Sequence, residues 1–102
     1  MTILVTGSSG FIGFHLCKKL IKNGEKVIGF DNMNDYYDKT LKENRLNELR
    51  KIADKDKFIF IRGNLEENLI LENIFKDYKP NRVVNLAAQA GVRYSIENPS
   101  AY

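Results

Sequence analysis

Three glycines lie three residues apart near the start of the chain, in the segment TGSSGFIG (residues 6–13). They follow the short apolar run ILV and precede a stretch of helical periodicity. A glycine-rich turn between a strand and a helix directs backbone N–H groups at one spot, where the helix dipole favours a phosphate. We expect Gly7 to permit the tight turn, Gly10 to admit a pyrophosphate and Gly13 to let the helix pack on the strand. The alternative is a glycine-rich turn that binds nothing.

An acidic residue, Asp31, ends the second apolar run, eighteen residues after Gly13. A carboxylate at this position accepts hydrogen bonds from both hydroxyls of an adenine ribose and repels a 2′-phosphate. The glycine spacing is G-x-x-G-x-x-G rather than G-x-G-x-x-G, yet the acid lies at the expected distance. Together these features predict a dinucleotide site that prefers NAD to NADP. The alternative is that Asp31 only caps a loop.

The apolar pattern alternates between short continuous runs and helical periodicity. Strands are predicted at TILV, KVIGF, FIFI and VVNLAA (residues 2–5, 26–30, 58–61 and 83–88), and helices over residues 11–22, 40–53 and 67–78. This order favours parallel strands joined by right-handed crossovers, in an α/β, Rossmann-type sheet of order 3-2-1-4. The apolar helix faces are predicted to be Ile12, Leu16 and Leu20, then Leu46, Leu49 and Ala53, then Ile70, Ile74 and Tyr78.

The segments after the third and fourth strands are further candidates, since ligands lie across the carboxyl ends of parallel strands. Asn64 would bond the adenine amino group, and the small Ala87 and Ala88 would leave room for the nicotinamide side. The alternative is that small residues merely end a buried strand. The tail GVRYSIENPSAY (residues 91–102) reads as a connection, so the fourth strand is predicted to be an uncovered edge that promotes self-association.

Composition excludes several classes of function. The apolar share of 43% and the charged share of 28% are typical of a globular domain, and no apolar run is long enough for a membrane span. The net charge of +3 is dispersed, so neither nucleic acid nor a membrane is a predicted partner. A single cysteine, Cys17, and the absence of a leader signal indicate a cytoplasmic protein. Cys17 and His15 are interpreted as structural helix residues, and no metal site is predicted.

With residues 6–13, Asp31-Asn32, GNL and NLAA in register, the chain resembles the extended short-chain dehydrogenase/reductase family, and within it the nucleotide-sugar epimerases. The segments DNMNDYYD and NLAAQAGVRYSIENPSAY are similar to those of bacterial UDP-glucuronate 4-epimerases, which are often named capsular polysaccharide biosynthesis proteins. The resemblance covers all 102 residues, specifically in these two segments and generically in the glycine loop. It implies a bound NAD that takes hydride from carbon 4 of a UDP-hexuronate, giving a 4-keto sugar that is reduced on its other face.

The resemblance also implies roles for individual residues. Those expected at the pyrophosphate are Gly7, Gly10, Phe11, Ile12 and Gly13. Those expected at the ribose are Asp31 and Asn32, at the adenine Asn64 and Leu65, and at the nicotinamide end Leu86, Ala87, Ala88 and Gln89. The family usually has aspartate where this chain has Asn64, so we expect weakened adenine recognition. Arg93 is assigned to the substrate carboxylate, with a hydroxyl contact from Ser95; the alternative is that Arg93 is an exposed loop cation.

The catalytic pair of this family is a tyrosine followed four residues later by a lysine, whose ammonium lowers the pKa of the tyrosine. No Tyr-x-x-x-Lys occurs in the 102 residues, and no catalytic residue is predicted. The leading hypothesis is that residues 1–102 are the N-terminal NAD-binding half of a nucleotide-sugar 4-epimerase, inactive without its catalytic segment and C-terminal substrate domain. The alternatives are a free-standing dinucleotide sensor or split-enzyme subunit, and a fragment of a nucleotide-sugar dehydratase or decarboxylase.

Overall fold

The computed structural model describes residues 1–33, 39–54, 56–64, 67–86 and 95–97. Strands and helices alternate along these residues until a last short strand is added. The elements are β1 (Thr2–Thr6), α1 (Phe11–Lys22), β2 (Lys26–Asp31), α2 (Lys39–Ile52), β3 (Phe58–Arg62), α3 (Asn68–Tyr78), β4 (Arg82–Asn85) and β5 (Ser95–Glu97).

The strands form one sheet of order β3-β2-β1-β4-β5, in which β1 to β4 are parallel. β1 lies at the centre, with Thr2 in register with Lys26 of β2 and Ile3 in register with Arg82 of β4. The predicted fold class is confirmed, with four parallel strands in order 3-2-1-4 and three crossover helices among the described residues. Because these strands are parallel and adjacent, the carboxyl ends of β1, β2 and β3 lie side by side at one end of the sheet.

The prediction that the fourth strand is an uncovered edge of the sheet is wrong. β5 pairs antiparallel with β4, with Val84 opposite Ile96. An antiparallel return needs only a short connection, and pairing satisfies the backbone groups of an edge. A strand of three residues is too short for its alternation to be recognised in the sequence. β4 also ends at Asn85 rather than at the predicted residue 88, and residues 87 and 88 lie outside the described residues.

Both faces of the sheet are covered by helices. Successive residues of a strand point to opposite faces, so Ile3 and Val5 join one apolar cluster while Leu4 joins another. The first cluster contains side chains of α1 and α2, and the second contains Ile74 of α3. Burial on both faces explains why the strands read as continuous apolar runs.

The apolar helix faces agree with the sequence pattern in α2 and α3 but not in α1. Leu46, Leu49 and Ile74 are buried as predicted. In α1, Ile12 is 48% exposed, and the buried positions are Gly13, Phe14, Cys17 and Ile21. Leu16 and Leu20 are only partly buried against the first cluster. The close approach of α1 to the preceding turn at Gly13, described below, sets this rotation.

None of the described helices is long and apolar enough to cross a membrane.

Two leucines of α2 test the core assignment with the same substitution. Leu49 is fully buried in the first cluster, whereas Leu41 is 43% exposed. Leu49→Ala is expected to lower the free energy of unfolding by about 2–5 kcal/mol, since it removes buried apolar atoms and leaves a cavity. Leu41→Ala should cost less than about 1 kcal/mol. Urea unfolding followed by circular dichroism measures both, and equal losses would contradict the packing described here.

Candidate functional site

The turn after β1 is joined to the end of β2, which is joined in turn to the loop after β3. Gly7 N donates to the carbonyl oxygen of Phe30 at 2.7 Å, and Gly63 N donates to the carbonyl oxygen of Asp31 at 3.1 Å. These bonds hold the predicted pyrophosphate turn, the predicted ribose carboxylate and the predicted adenine segment at one edge of the sheet.

Each glycine of the turn meets a different constraint. Gly7 has φ +72°, a left-handed conformation that favours glycine. A Cβ at Gly13 would lie 2.0 Å from the Gly7 carbonyl oxygen, so the first turn of α1 rests on the backbone of the loop. Gly10 has φ −71°, which other residues adopt easily, but a Cβ there would lie 3.3 Å from Gly7 O, a tight contact that needs a shift of a few tenths of an ångström. Gly7 and Gly13 are therefore required by the fold itself, whereas Gly10 is the one whose missing side chain mainly leaves space.

The N-terminus of α1 is suited to an anion. Its N-cap is Gly10, which makes no side-chain capping hydrogen bond, and its first turn carries no acidic side chain. The backbone N–H groups of the first turn have no intrahelical acceptor. This end of the helix therefore offers donors and a positive dipole end to a phosphate.

Among the described residues, the buried carboxylate of Asp31 accepts three hydrogen bonds. Oδ2 accepts from Ser9 N at 3.0 Å, and Oδ1 accepts from Met33 N at 2.7 Å. Oδ1 also pairs with Lys42 Nζ at 3.0 Å. The side chain of Asp31 is only 2% exposed, so these donors replace lost hydration and keep a carboxylate at the tip of β2.

Helix α2 covers the glycine turn with two basic residues that were not predicted as part of the site. Lys42 reaches Asp31, and Arg45 Nη1 donates to the carbonyl oxygen of Ser9 at 3.2 Å. The Arg45 guanidinium also lies 5.8 Å from the centre of the Phe11 ring. The two residues are three apart on a helix and so share a face. That spacing alone does not distinguish them from solvated surface residues, so the sequence carries no specific signal for their position at the turn.

The carboxyl ends of β1 and β4 are joined by side chains. Thr6 Oγ1 donates to Asn85 Oδ1 at 2.5 Å and accepts from Leu86 N at 3.1 Å. Leu86 N also donates to the carbonyl oxygen of Thr6. These bonds hold Leu86, a predicted residue of the nicotinamide end, beside the glycine turn.

Two serines inside the glycine motif are fully buried. Ser8 and Ser9 have no exposed surface, and neither hydroxyl has a hydrogen-bond partner among the described residues. Ser8 lies over Gly29 of β2, where a Cβ would come within 2.9 Å of its Oγ. Small side chains are therefore needed at these positions of the turn and at the strand beneath it.

Other predicted site residues are peripheral or fall outside the described residues. Asn32 and Asn64 are exposed at the edge of the sheet. The amide of Asn64 donates to Glu67 Oε1 at 3.3 Å, as does its backbone N at 3.0 Å. Ser95 lies in β5. The predicted residues outside the described part of the chain are Leu65, Ala87, Ala88, Gln89 and Arg93.

Cys17 and His15 are in surroundings typical of structural residues. Burial, with a smaller effect of the negative charge of Asp31, raises the pKa of Cys17 from 9.0 to about 12, so the thiol stays protonated at neutral pH. His15 is exposed and packs edge-on against the rings of Phe11 and Phe14, with centroids 4.8 and 5.0 Å away. Within the described residues, no three His, Cys, Asp or Glu side chains are grouped to hold a metal.

A parallel sheet with a glycine turn at the start of its first helix and a buried carboxylate at the tip of its second strand defines a Rossmann-type nucleotide-binding domain. The sequence pattern of the GDP-mannose 4,6 dehydratase family matches residues 4–102, and the chain belongs to this family. It is 57% identical over 102 residues to Protein CapI of Staphylococcus aureus, covering 29% of that protein. It is 47% identical to a probable UDP-glucuronate 4-epimerase of Rhizobium meliloti, again covering all of this chain and 29% of the relative.

Solved structures that superpose on this chain are also nucleotide-sugar dehydratases and epimerases. The dTDP-glucose 4,6-dehydratase of Bacillus anthracis in complex with NAD superposes with a TM-score of 0.71 at 29% identity, over 88% of this chain and 27% of that one. The UDP-glucose 4-epimerase of Thermotoga maritima with UDP-glucose gives 0.65 at 36% identity, over 88% and 25%. The resemblance to the nucleotide-sugar epimerases is confirmed. The chain spans under a third of the length of each of these proteins.

The two later glycines of the motif are expected to differ in their effect on stability. Gly13→Ala should lower the free energy of unfolding by about 1–3 kcal/mol, because its Cβ would overlap a backbone oxygen that cannot move aside alone. Gly10→Ala should cost clearly less, since its Cβ meets only a 3.3 Å contact. Thermal and urea unfolding of both variants measure the difference, and a larger loss for Gly10→Ala would refute the geometry.

Proposed function

We propose that this chain is the NAD-binding part of a nucleotide-sugar 4-epimerase that interconverts UDP-glucuronate and UDP-galacturonate. The observation that carries the proposal is the bond from Ser9 N to the Asp31 carboxylate. It joins the turn suited to a pyrophosphate to the acid suited to a ribose diol, and so sets their spacing. The relatives named as UDP-glucuronate 4-epimerases support the choice of reaction.

The described residues fit a dinucleotide. The uncapped first turn of α1, at Phe11, Ile12 and Gly13, would hold the pyrophosphate. Asp31 and Asn32 would bind the adenosine ribose. The space left by the missing side chain of Gly10 lies over the same turn.

The two ends of the cofactor would lie on different strands. Asn64, with Leu65, would face the adenine after β3, and Leu86 would begin the nicotinamide end after β4 with Ala87, Ala88 and Gln89. When bound, NAD supplies the group that accepts hydride from carbon 4 of the sugar. In this assignment Arg93 and Ser95 contact the UDP-sugar, with the guanidinium on its carboxylate.

Residues 1–102 are assigned as the N-terminal cofactor-binding part of a longer enzyme, and the catalytic tyrosine and lysine are assigned to another part of that protein. The sequence contains no Tyr-x-x-x-Lys. None of its tyrosines is therefore followed by the lysine that would lower the tyrosine pKa and let it act as a base. The chain alone is therefore proposed to bind cofactor without turning over substrate. A cytoplasmic location is part of this proposal and is supported by the single cysteine, which suits a reducing compartment.

A second candidate is a nucleotide-sugar 4,6-dehydratase. It is favoured by the family match and by the superposition on the dTDP-glucose 4,6-dehydratase of Bacillus anthracis. The two candidates share this cofactor-binding part, so the described residues support both. The first is preferred because a relative named as a probable UDP-glucuronate 4-epimerase is 47% identical, against 29% for the dehydratase structure. A free-standing NAD sensor or split-enzyme subunit would have the same binding properties without chemistry of its own.

Calorimetric titration tests cofactor binding. The chain is expected to bind NAD, and Asp31→Asn should weaken NAD binding by about tenfold or more, because an amide accepts fewer hydrogen bonds from a diol than a carboxylate does. The matched control is Asp77→Asn on the exposed side of α3, which should leave binding unchanged. A folded chain that shows no heat with NAD at millimolar concentration would refute the proposed function.

Turnover is tested separately. The purified 102-residue chain, incubated with NAD and UDP-glucuronate, is expected to give no UDP-galacturonate by ion-exchange chromatography, because its sequence lacks the catalytic pair. A spike of authentic UDP-galacturonate into the same mixture controls for detection. Formation of product at a rate proportional to protein concentration would overturn the assignment of the catalytic pair to another part of the protein.

A further inference from the structure

The Asp31 carboxylate has too few acceptor positions for both its present partners and a ribose diol. An ionised carboxylate offers about four lone-pair sites. Three are used by Ser9 N, Met33 N and Lys42 Nζ. A diol brings two hydroxyl donors, so one of the three existing bonds has to be given up when the ribose binds.

Lys42 is the partner that can leave. The N–H groups of Ser9 and Met33 belong to the backbone of the glycine turn and of the chain just after β2, where the fold fixes them. The Lys42 ammonium lies at the end of a flexible side chain and retains 15% exposure. Its stem can stay packed while the charged end moves by a few ångströms.

We propose that Lys42 is a second determinant of cofactor choice, which competes with the ribose diol of NAD for Asp31 and, once released, partners a 2′-phosphate. The inference rests on the proposed NAD-binding function. Paired with Asp31, Lys42 nearly cancels the charge that would exclude NADP. The site would then discriminate against NADP less strongly than an unpaired aspartate does.

Among the described side chains, two other cations lie near Asp31 but are less suited to this role. Arg45 is engaged by the Ser9 carbonyl oxygen and the Phe11 ring. Arg62 is in register with Asp31 on the neighbouring strand and is exposed to water, which screens its charge. Lys42 alone among the three is bonded to the carboxylate through a side chain that can move.

Removing the Lys42 ammonium has two effects, and both increase the preference for NAD over NADP. Without the competitor, NAD gains access to Oδ1; without the cation, the 2′-phosphate of NADP loses its partner. The ratio of the dissociation constant of NADP to that of NAD should therefore rise about fivefold to twentyfold in Lys42→Met, which keeps the apolar stem. Lys42→Gln serves as a second variant if Lys42→Met unfolds.

The experiment is calorimetric titration of the 102-residue chain with NAD and with NADP at one low ionic strength. Lys42→Arg keeps the charge and should move the ratio less than twofold. Lys51→Met, in the last turn of the same helix, removes an exposed lysine distant from the site and should leave the ratio unchanged. Thermal unfolding of each variant controls for loss of structure.

The outcomes separate the two proposals. A ratio that rises in Lys42→Met but not in Lys42→Arg or Lys51→Met supports the role of Lys42. A wild-type chain that binds NAD while Lys42→Met leaves the ratio unchanged or lowers it overturns that role alone. A folded wild-type chain that binds neither dinucleotide overturns the proposed function and this inference with it.

Discussion

The contact between Gly13 and the carbonyl oxygen of Gly7 sets the geometry on which the site depends. Because an added Cβ would lie 2.0 Å from that oxygen, α1 can approach the turn this closely only with glycine at position 13. The contact fixes the rotation of α1, which turns Cys17 into the core and leaves Ile12 exposed. The turn under this contact is also the one whose Ser9 N donates to the Asp31 carboxylate. One missing methyl group thus permits the close packing of α1 on the turn that is joined to Asp31.

The second constraint on the site is the buried charge of Asp31. A buried carboxylate is costly unless it is hydrogen-bonded, and the donors of Asp31 come from three places: the glycine turn, the chain just after β2, and α2. Asp31 therefore joins segments that are distant in sequence around one charge. The basic face of α2 balances that charge and also holds the carbonyl side of the turn through Arg45. If the proposed role of Lys42 holds, binding selectivity and local stability depend on the same ion pair.

The sequence predicts what depends on local pattern. Continuous apolar runs identified β1 to β4, and four-residue spacing identified the buried faces of α2 and α3. The sequence does not predict which face of α1 is buried. Ile12, Leu16 and Leu20 form a regular apolar stripe, whereas the buried face includes Gly13, which a search for apolar residues does not select. The site residues Lys42 and Arg45 were missed for a related reason: on an exposed-looking helix, lysine and arginine read as solvated, and only the crossover of α2 back over the sheet brings them to the turn. β5 was missed because its pairing with β4 is decided by tertiary contact.

The side-chain link between Thr6 and Asn85 joins residues 79 apart in sequence, as does the bond from Thr2 N to Asn81. β1 is the central strand, yet one of its two neighbours, β4, follows three helices and two strands later in the chain. On a ribosome, β1 would therefore emerge long before β4 and keep one open hydrogen-bonding edge until residues 82–85 have been synthesised. Such non-local pairing is slow to form because the loop-closure entropy is lost before the contacts are gained. The strand that carries the glycine turn is thus completed late, so that the end of the sheet proposed to bind the pyrophosphate acquires its final geometry only when β4 joins the sheet.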